Sequence, residues 1–320
     1  MSTLLIDCGC ASTRIVVDGE LVFDQPTCMA VHAQSESVVS YGDKALALLG
    51  KVGADLRVTF PVMYGMPTSY TAASRYFDAV IKEHARPALW RRMFAQPVVL
   101  TYSGGSSPAS TTAWQRVFSS IGCSVKKHVF APAAAANTVS AKLDAPLCIL
   151  VIGAQMSSIA VVRDRAVVAS ASIRWGGARI TEILQSELVR IHQLRVGWST
   201  TEKLKKQVHL FSSSSHKSMV VEGRDAIGGR ALKVDIDTQA CVQPVRVYLA
   251  ELEHFIAHFF SQISTQLATS VLQNGIFLAG GTAQLIDVPQ HLSSVLGCRV
   301  EVVPHPSFAA IKGLQVQYEA

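Results

Sequence analysis

The sequence predicts an α/β protein built from two similar lobes with a cleft between them. Three observations predict this fold: the length of 320 residues, the content of 49% hydrophobic and 16% charged residues, and a strand and turn pattern that occurs twice. Soluble domains average about 25% charged residues, so the low charge content indicates a large buried core. At about 150 residues per domain, the length accommodates two lobes. These properties exclude a disordered chain and a small disulfide-bonded scaffold.

The repeated pattern is an apolar run, a short turn that contains glycine, and two further apolar runs. It spans residues 4–23 with Gly9 in the turn, and residues 149–168 with Gly153 in the turn, so the two glycines lie 144 positions apart. Apolar runs bounded by turn residues predict antiparallel strands. Because the repeat is so long, it predicts two similar halves rather than a solenoid.

Hydrophobic spacing and turn residues predict the remaining elements. The predicted helices are Thr71–His84, Thr111–Ile121, Ala131–Ala141 and a long amphipathic helix over Tyr248–Leu267. The predicted strands are 97–102, 125–130, 275–279 and 298–303. A polar insert between Lys203 and Asp237 is expected to contain a hairpin around Glu222–Asp225.

Charge, cysteine content and hydropathy narrow the class of protein. The net charge is +6, but the basic residues form no long run, so we expect no nucleic-acid partner. Seven cysteines without a Cys-x-x-Cys pair argue against a zinc site or a disulfide framework. The apolar stretches 145–162 and 255–286 carry Gly, Gln and Ser, which is typical of buried core rather than of a membrane span. The N-terminal segment begins directly with a strand pattern, so we expect a cytoplasmic protein.

Three features point to chemistry in the cleft. Two facing turns that contain glycine can present backbone N–H groups to an anion from both sides. Asp7, at the end of the first strand, could hold a divalent metal ion through water. The Gly280–Gly281 turn allows the backbone to approach a base or a ribose closely. Each feature alone is as compatible with a purely structural role, and their order along a duplicated frame is the more specific signal.

The motifs that carry these features resemble those of the actin-like ATPase superfamily, and within it the MreB family of bacterial actins. The resemblance rests on Asp7–Thr13, Ile173–Glu182, Thr201–Lys205 and Phe277–Leu285. It implies the actin-like fold, with two lobes that each contain a ribonuclease H-like core. Lobe I would span 1–131, with an insert at about 27–70, and would be completed by 305–320. Lobe II would span 132–304, with an insert at about 180–240.

The resemblance also implies a nucleotide site for ATP, alone or with Mg²⁺ at Asp7. The nucleotide-binding residues that it implies are Asp7, Gly9, Cys10, Ala11, Ser12, Gly153, Ala154, Gln155, Glu202, Lys205, Gly280, Gly281, Thr282 and Ala283.

Departures from the family's motifs predict weak or lost hydrolysis. Val151 replaces an aspartate of the second phosphate loop, and Ala154 and Gln155 replace two of its glycines. Ala131 stands near the place of the glutamate that polarises the attacking water, so we assign no catalytic residue. Positioned acid–base groups contribute about 10²–10⁴-fold to a rate. Two further acidic positions are replaced, at Ala178 and Ser69.

Residues 86–97 predict a membrane contact. Leu89, Trp90, Met93 and Phe94 fall on one helical side, next to two arginines. Apolar and Trp residues beside Arg suit an anionic lipid surface, and the resemblance implies a loop that dips into the inner leaflet. The alternative is a connection that packs on its own lobe.

The expected function is that of an actin-like cytoskeletal protein that forms filaments at the inner face of the cell membrane and helps to determine cell shape. Its partners would be further copies of itself or an actin-like paralogue, and the inner membrane surface. An alternative is a non-polymerising pseudo-ATPase that binds or regulates a conventional actin-like paralogue. A third hypothesis is an enzyme of the same superfold, such as a sugar kinase or a chaperone. A kinase needs a carboxylate base for the substrate hydroxyl, and the sequence offers no convincing candidate in the cleft.

Overall fold

Two five-stranded sheets, one in each half of the chain, form the centre of the molecule. The computed structural model describes residues 2–85, 95–104, 108–139, 145–210 and 218–318.

The first sheet has the order β10-β9-β1-β2-β3. Its strands are β1 (Leu4–Cys8), β2 (Ser12–Val17), β3 (Glu20–Pro26), β9 (Gln96–Tyr102) and β10 (Cys123–Phe130). The first three form an antiparallel meander, and β9 and β10 run parallel to β1. The meander is the hairpin pattern predicted for the first half.

The second sheet repeats this arrangement in the order β13-β12-β11-β17-β18. Its strands are β11 (Leu147–Ile152), β12 (Ser157–Arg163), β13 (Ala166–Ile173), β17 (Ile276–Ala279) and β18 (Val300–Val302). Again the first three are antiparallel and the last two are parallel to the first. The predicted duplication and the predicted α/β class are therefore confirmed.

Two helices cover one face of the first sheet: α2 (Tyr70–His84) and α3 (Pro108–Ser120). Successive side chains along β1 point to opposite faces of the sheet, and Leu4 and Ile6 lie on this one. They form a buried cluster with Tyr76, Trp114 and Phe118. Both helices were predicted from their apolar spacing and begin one and three residues earlier than predicted.

Two other helices, α4 (Ala131–Ala136) and α10 (Ala309–Tyr318), lie on the opposite face. Ile311 and Leu314 of α10 pack there with Leu5 of β1. Ala134 packs with this cluster, whereas Ala135 packs on the second sheet, so α4 lies between the two sheets. The division of the chain near residue 131 stays a prediction.

The second half has its helices at α5 (Gly177–His192), α6 (Trp198–Lys205), α7 (Val242–Gln262), α8 (Thr265–Asn274) and α9 (Val288–Leu296). The prediction of one long helix over 248–267 was wrong, because the chain leaves the helix at Ile263 with extended backbone angles. Ser264 then caps a new helix, its side chain accepting a hydrogen bond from the Leu267 N–H.

Small inserts extend each half. The first contains β4 (Met29–His32), β5 (Val38–Tyr41), α1 (Asp43–Leu46), β6 (Leu56–Thr59), β7 (Val62–Met63) and β8 (Met66–Pro67). The second contains β14 (Leu194–Arg195), β15 (Ser218–Asp225) and β16 (Ala231–Asp237). The predicted hairpin is present, but its turn follows Asp225, since Glu222–Asp225 belong to β15. Short 3₁₀ helices lie at Thr238–Cys241, Gly281–Gln284 and Pro306–Phe308.

Among the described residues, none of the helices combines the length and the apolar character that a membrane crossing requires. All seven cysteines are free thiols, and five of them are buried.

Candidate functional site

The first glycine turn connects β1 to β2 and is fixed by Thr27. A Cβ atom on Gly9 would lie 2.5 Å from the carbonyl oxygen of Ser12, so only glycine fits this turn. Thr27 Oγ1 donates a hydrogen bond to the Gly9 carbonyl over 2.7 Å, and the Thr27 N–H donates to the Ala11 carbonyl over 3.0 Å. The turn therefore has one tightly held shape.

The second glycine turn connects β11 to β12 and is anchored on two neighbouring elements. The Gly153 carbonyl accepts hydrogen bonds from the Gly177 N–H at the start of α5 and from Thr282 Oγ1 at 3.1 Å. The Ala178 N–H donates to the Ala154 carbonyl over 2.6 Å. Within the turn, the Gly153 N–H donates to the Met156 carbonyl.

Both turns leave backbone donors without a protein partner. No hydrogen bond found among the described residues uses the N–H groups of Cys10, Ala11, Ala154 or Gln155. Successive backbone N–H groups in a turn can form a concavity that binds an anion. Ser12 begins β2 beside the first pair.

A third segment, the Tyr64–Gly65 loop between β7 and β8, reaches both turns. The Gly65 N–H donates to Cys10 Sγ over 3.2 Å, and the Tyr64 N–H donates to Gln155 Oε1 over 2.9 Å. Trp114 Nε1 donates to the Gly65 carbonyl and holds the loop from behind. Burial raises the pKa of the Cys10 thiol to about 11, so this sulfur stays protonated at neutral pH.

Sequence reasoning missed this loop. Tyr64 has a φ of 49°, in the left-handed region that residues with a large side chain rarely adopt. Its ring lies 5.3 Å from the guanidinium carbon of Arg174, which comes from the second half of the chain. Nearby, Ser158 Oγ donates to the Ser103 carbonyl across the same cleft. The Tyr-Gly pair was the available signal, because such a pair in a two-residue turn often requires a positive φ.

Asp7 is buried beneath the first turn. Its Oδ1 accepts a hydrogen bond from Thr101 Oγ1 at 2.7 Å, and its Oδ2 lies 3.4 Å from Arg14 Nη1. Burial raises the pKa of the Asp7 carboxyl above its ordinary value, and Arg14 and Thr101 oppose that shift. Arg14 is a second residue that sequence reasoning missed, since strand pairing places it directly opposite Asp7.

Glu202 and Lys205 lie on one side of α6 and form an ion pair at 2.7 Å. Lys205 Nζ also donates to the Gly177 carbonyl at 3.1 Å and to Thr181 Oγ1 at 3.2 Å. Thr181 Oγ1 in turn donates to Glu202 Oε1. Burial lowers the pKa of the Lys205 ammonium, and Glu202 opposes the shift. The helix spacing of i and i+3 places both residues beside the start of α5.

The Gly280–Ala283 turn follows β17 and meets the second glycine turn. Gly280 has a φ of 89°, and a Cβ there would lie 2.3 Å from the Ile152 carbonyl oxygen. Thr282 Oγ1 leaves no room for a Cβ on Gly177. Gly281, by contrast, has open space where its Cβ would stand. Gly280 thus serves close packing, and Gly281 leaves room beside the turn.

The positions where carboxylates were expected hold uncharged residues. Val151 lies in β11 and Ala131 is the buried first residue of α4. Ser69 is the N-cap of α2, with its side chain accepting from the Ala72 N–H. The carboxylates that remain among the predicted site residues, Asp7 and Glu202, are both paired with a cation.

Contacts connect the two glycine turns through the Tyr64–Gly65 loop, and they connect the second turn to Thr282 and, through Gly177, to Lys205. A family assignment follows from comparison with known proteins. A model of the family described as MreB/Mbl protein matches residues 1–320. The chain belongs to the MreB/Mbl family. The family recognised from the sequence motifs is thus confirmed.

Relatives in the MreB/Mbl family match along almost the entire chain. Cell shape-determining protein Mbl of Bacillus subtilis is 23% identical over 310 residues, which cover 94% of this chain and 91% of the relative. Cell shape-determining protein MreB of Escherichia coli K12 is 22% identical over 321 residues, which cover 97% of this chain and 91% of the relative.

Solved structures confirm the actin-like fold. MreB5 of Spiroplasma citri bound to AMPPNP superposes with a TM-score of 0.92 at 19% identity, over 99% of this chain and 96% of that one. A MamK double helical filament gives a TM-score of 0.79 at 17% identity, over 99% of both chains. The predicted two-lobed α/β architecture of the MreB/Mbl family therefore holds.

The predicted membrane-contact residues Leu89, Trp90, Met93 and Phe94 lie outside the residues that the structure describes. The assignment of the cleft residues to a nucleotide likewise stays a prediction.

Proposed function

We propose that this MreB/Mbl-family protein is an actin-like cytoskeletal protein that assembles into filaments and contributes to cell shape. The family match over residues 1–320 carries the proposal, because it spans both lobes and both inserts. Mbl and MreB relatives are cell shape-determining proteins, and the structural neighbour MamK forms a double helical filament. Fold alone does not determine function, so assembly needs a direct test.

Electron microscopy of the purified full chain, with and without ATP, tests assembly. Filaments in either condition support the proposal. Monomers that persist at high protein concentration in both conditions would contradict it and would favour the alternative of a regulator that binds an actin-like paralogue. Mixing the monomer with such a paralogue would then show whether it shortens the paralogue's filaments.

We also propose that the cleft binds an adenine nucleotide. The four unpaired N–H groups at Cys10, Ala11, Ala154 and Gln155 support this, because they lie at two glycine turns, one in each half of the chain. Open space beside Gly281 leaves room for a base or a ribose. The structural neighbour MreB5 of Spiroplasma citri has been solved with AMPPNP and with ADP. Calorimetric titration of ATP into the full chain tests the proposal, and no heat of binding at any concentration would contradict it.

Hydrolysis of the bound nucleotide is expected to be very slow. The phosphate side of the cleft has Val151 and Ala131 where a catalytic site needs carboxylates, and Asp7 is already paired with Arg14. Loss of a positioned acid–base group lowers a rate by about 10²–10⁴-fold. Phosphate release measured beside the Bacillus subtilis Mbl relative tests this. A rate equal to that of the relative would contradict it.

We propose that the protein acts at the inner face of the cell membrane, through Leu89, Trp90, Met93 and Phe94. Co-sedimentation with vesicles that contain anionic lipids compares the wild type with the double variant Trp90→Ala, Phe94→Ala. A matched control removes apolar surface elsewhere: Val220 and Ile227 are 60% and 84% exposed in the second insert, and both are changed to Ala. Loss of sedimentation in the first variant alone supports the proposal, and equal sedimentation of all three proteins contradicts it.

A further inference from the structure

The carboxylate that would face a metal ion in this cleft is already neutralised from within the protein. Asp7 is buried, with Oδ1 accepting from Thr101 Oγ1 at 2.7 Å and Oδ2 lying 3.4 Å from Arg14 Nη1. Both oxygens thus have protein partners. A buried carboxylate needs a compensating charge or several hydrogen bonds. Here Arg14 supplies the charge and Thr101 donates a hydrogen bond.

Arg14 has further partners in this position. Its Nε forms an ion pair with Asp24 Oδ1 at 3.0 Å without hydrogen-bond geometry, and its guanidinium carbon lies 4.4 Å from the centre of the Phe308 ring. The side chain is only 11% exposed. Two carboxylates and one aromatic face therefore surround the guanidinium, and the register of β1 with β2 fixes it opposite Asp7.

These residues do not fit a bound magnesium ion. Mg²⁺ requires near-octahedral oxygen coordination and is usually held by one or two carboxylates together with phosphate oxygens. Val151 occupies the place in β11 that Asp7 occupies in β1, two residues before the glycine. A divalent ion at Asp7 would also stand beside the fixed positive charge of Arg14.

We propose that this cleft binds its nucleotide without a divalent cation, and that the guanidinium of Arg14 takes the place of that cation at Asp7. The inference rests on the proposed nucleotide binding. Arg14 cancels the charge of Asp7 beneath the first turn, and the unpaired N–H groups of Cys10, Ala11, Ala154 and Gln155 remain as the donors to the phosphates. Affinity for ATP is therefore set by backbone donors and is independent of Mg²⁺.

Calorimetric titration of ATP into the wild-type chain, in buffer with MgCl₂ and in buffer with EDTA, tests the inference. The two dissociation constants should agree within about threefold. Binding that weakens by about tenfold or more in EDTA would overturn the inference and leave the proposed nucleotide binding intact. No binding in either buffer would overturn both, so the two failures are distinguishable.

Variants at the ion pair sharpen the test. Arg14→Met leaves the Asp7 charge uncompensated, so its affinity in EDTA should fall by about tenfold and recover when MgCl₂ is added. The double variant Asp7→Asn, Arg14→Met restores neutrality and should bind ATP equally in both buffers. Arg14→Lys keeps the charge, so its affinity in EDTA should exceed that of Arg14→Met. Thermal unfolding of each variant confirms that it folds, and affinity in Arg14→Met that is unchanged in EDTA would overturn the role of Arg14.

Discussion

The Tyr64 N–H donates a hydrogen bond to Gln155 Oε1 over 2.9 Å, and this bond joins the two halves of the molecule across the cleft. The two residues are 91 positions apart, one in the first insert and one in the second glycine turn. Gln155 is therefore more than a bulky replacement for a glycine: its side chain holds the Tyr64–Gly65 loop against the turn. The protein itself supplies a contact between its lobes at the place where we propose that phosphates bind.

Gln155→Ala should loosen this contact. Removing the acceptor leaves the Tyr64 N–H without its partner, so we expect a loss of about 1 kcal/mol in the free energy of unfolding. Hydrogen exchange followed by mass spectrometry should show faster exchange in the peptide that contains Tyr64. Because the wild-type bond needs no ligand, the difference should be present without nucleotide.

Gln155→Glu is the matched control for this prediction. A glutamate oxygen still accepts from the Tyr64 N–H, so exchange at Tyr64 should stay slow. Its negative charge beside the second turn should, however, weaken ATP binding. Equal exchange in the wild type and in Gln155→Ala would show that the cross-cleft bond does not hold the loop.

Much of the fold could be predicted because its signals are local. Gly9 and Gly153 mark two turns whose flanking apolar runs have the period of strands, and the repeat of that pattern predicted two like sheets. The break at Ile263–Ser264 was missed because the apolar spacing continues through it, whereas the capping serine signals a new start only once the bond to Leu267 is seen.

The candidate site was predicted less completely, because its contacts join distant parts of the chain. The glycine turns follow from motifs, but the Arg14–Asp7 pair depends on strand register, and the Tyr64–Gln155 bond depends on how the two halves meet. No spacing rule within one element reports either contact. Sequence patterns therefore indicated where the cleft lies, and tertiary packing decided which side chains fill it.

Ser69→Ala should destabilise the first half of the molecule. Ser69 Oγ accepts the Ala72 N–H at 3.0 Å at the start of α2, and loss of an N-cap costs about 1 kcal/mol. Urea unfolding measures the change. Ser69→Asp provides an equally good cap and should unfold as the wild type does, whereas a loss in Ser69→Asp equal to that in Ser69→Ala would contradict the capping role.

Gly313→Ala should be strongly destabilising although it lies inside α10. A Cβ there would stand 1.8 Å from the Ala134 carbonyl oxygen, so the helix must move away from α4. Overpacking of this kind costs about 3 kcal/mol, which exceeds the gain of about 1 kcal/mol that alanine offers over glycine in a helix. Urea unfolding measures the net loss.

Gly53→Ala is the control for the close approach of α10 to α4. Gly53 has open space where its Cβ would stand, and the change should alter the free energy of unfolding by less than about 0.5 kcal/mol. Similar stability of Gly313→Ala and the wild type would mean that the two helices do not pack this closely in solution.

Lys205 should make the stability depend on pH in the alkaline range. Burial lowers the pKa of the folded Lys205 ammonium below its ordinary value of 10.5, against the opposing effect of Glu202. Between those two pKa values the unfolded chain binds more protons at this site than the folded chain does, so the free energy of unfolding rises with pH there. Urea unfolding of the wild type and of Lys205→Met, at neutral pH and near pH 10, isolates this contribution as the difference between the two proteins.

As the pH rises, the free energy of unfolding of the wild type should increase relative to that of Lys205→Met. The reason is that a neutral Lys205 amine carries no desolvation penalty for a buried charge. The ion pair with Glu202 acts in the opposite direction, since it favours the charged amine; a difference that moves against the wild type would show that the pair outweighs burial. Lys203, two residues earlier on α6, is exposed. Lys203→Met should therefore unfold in parallel with the wild type at both pH values, which separates the effect of burial from that of losing one positive charge.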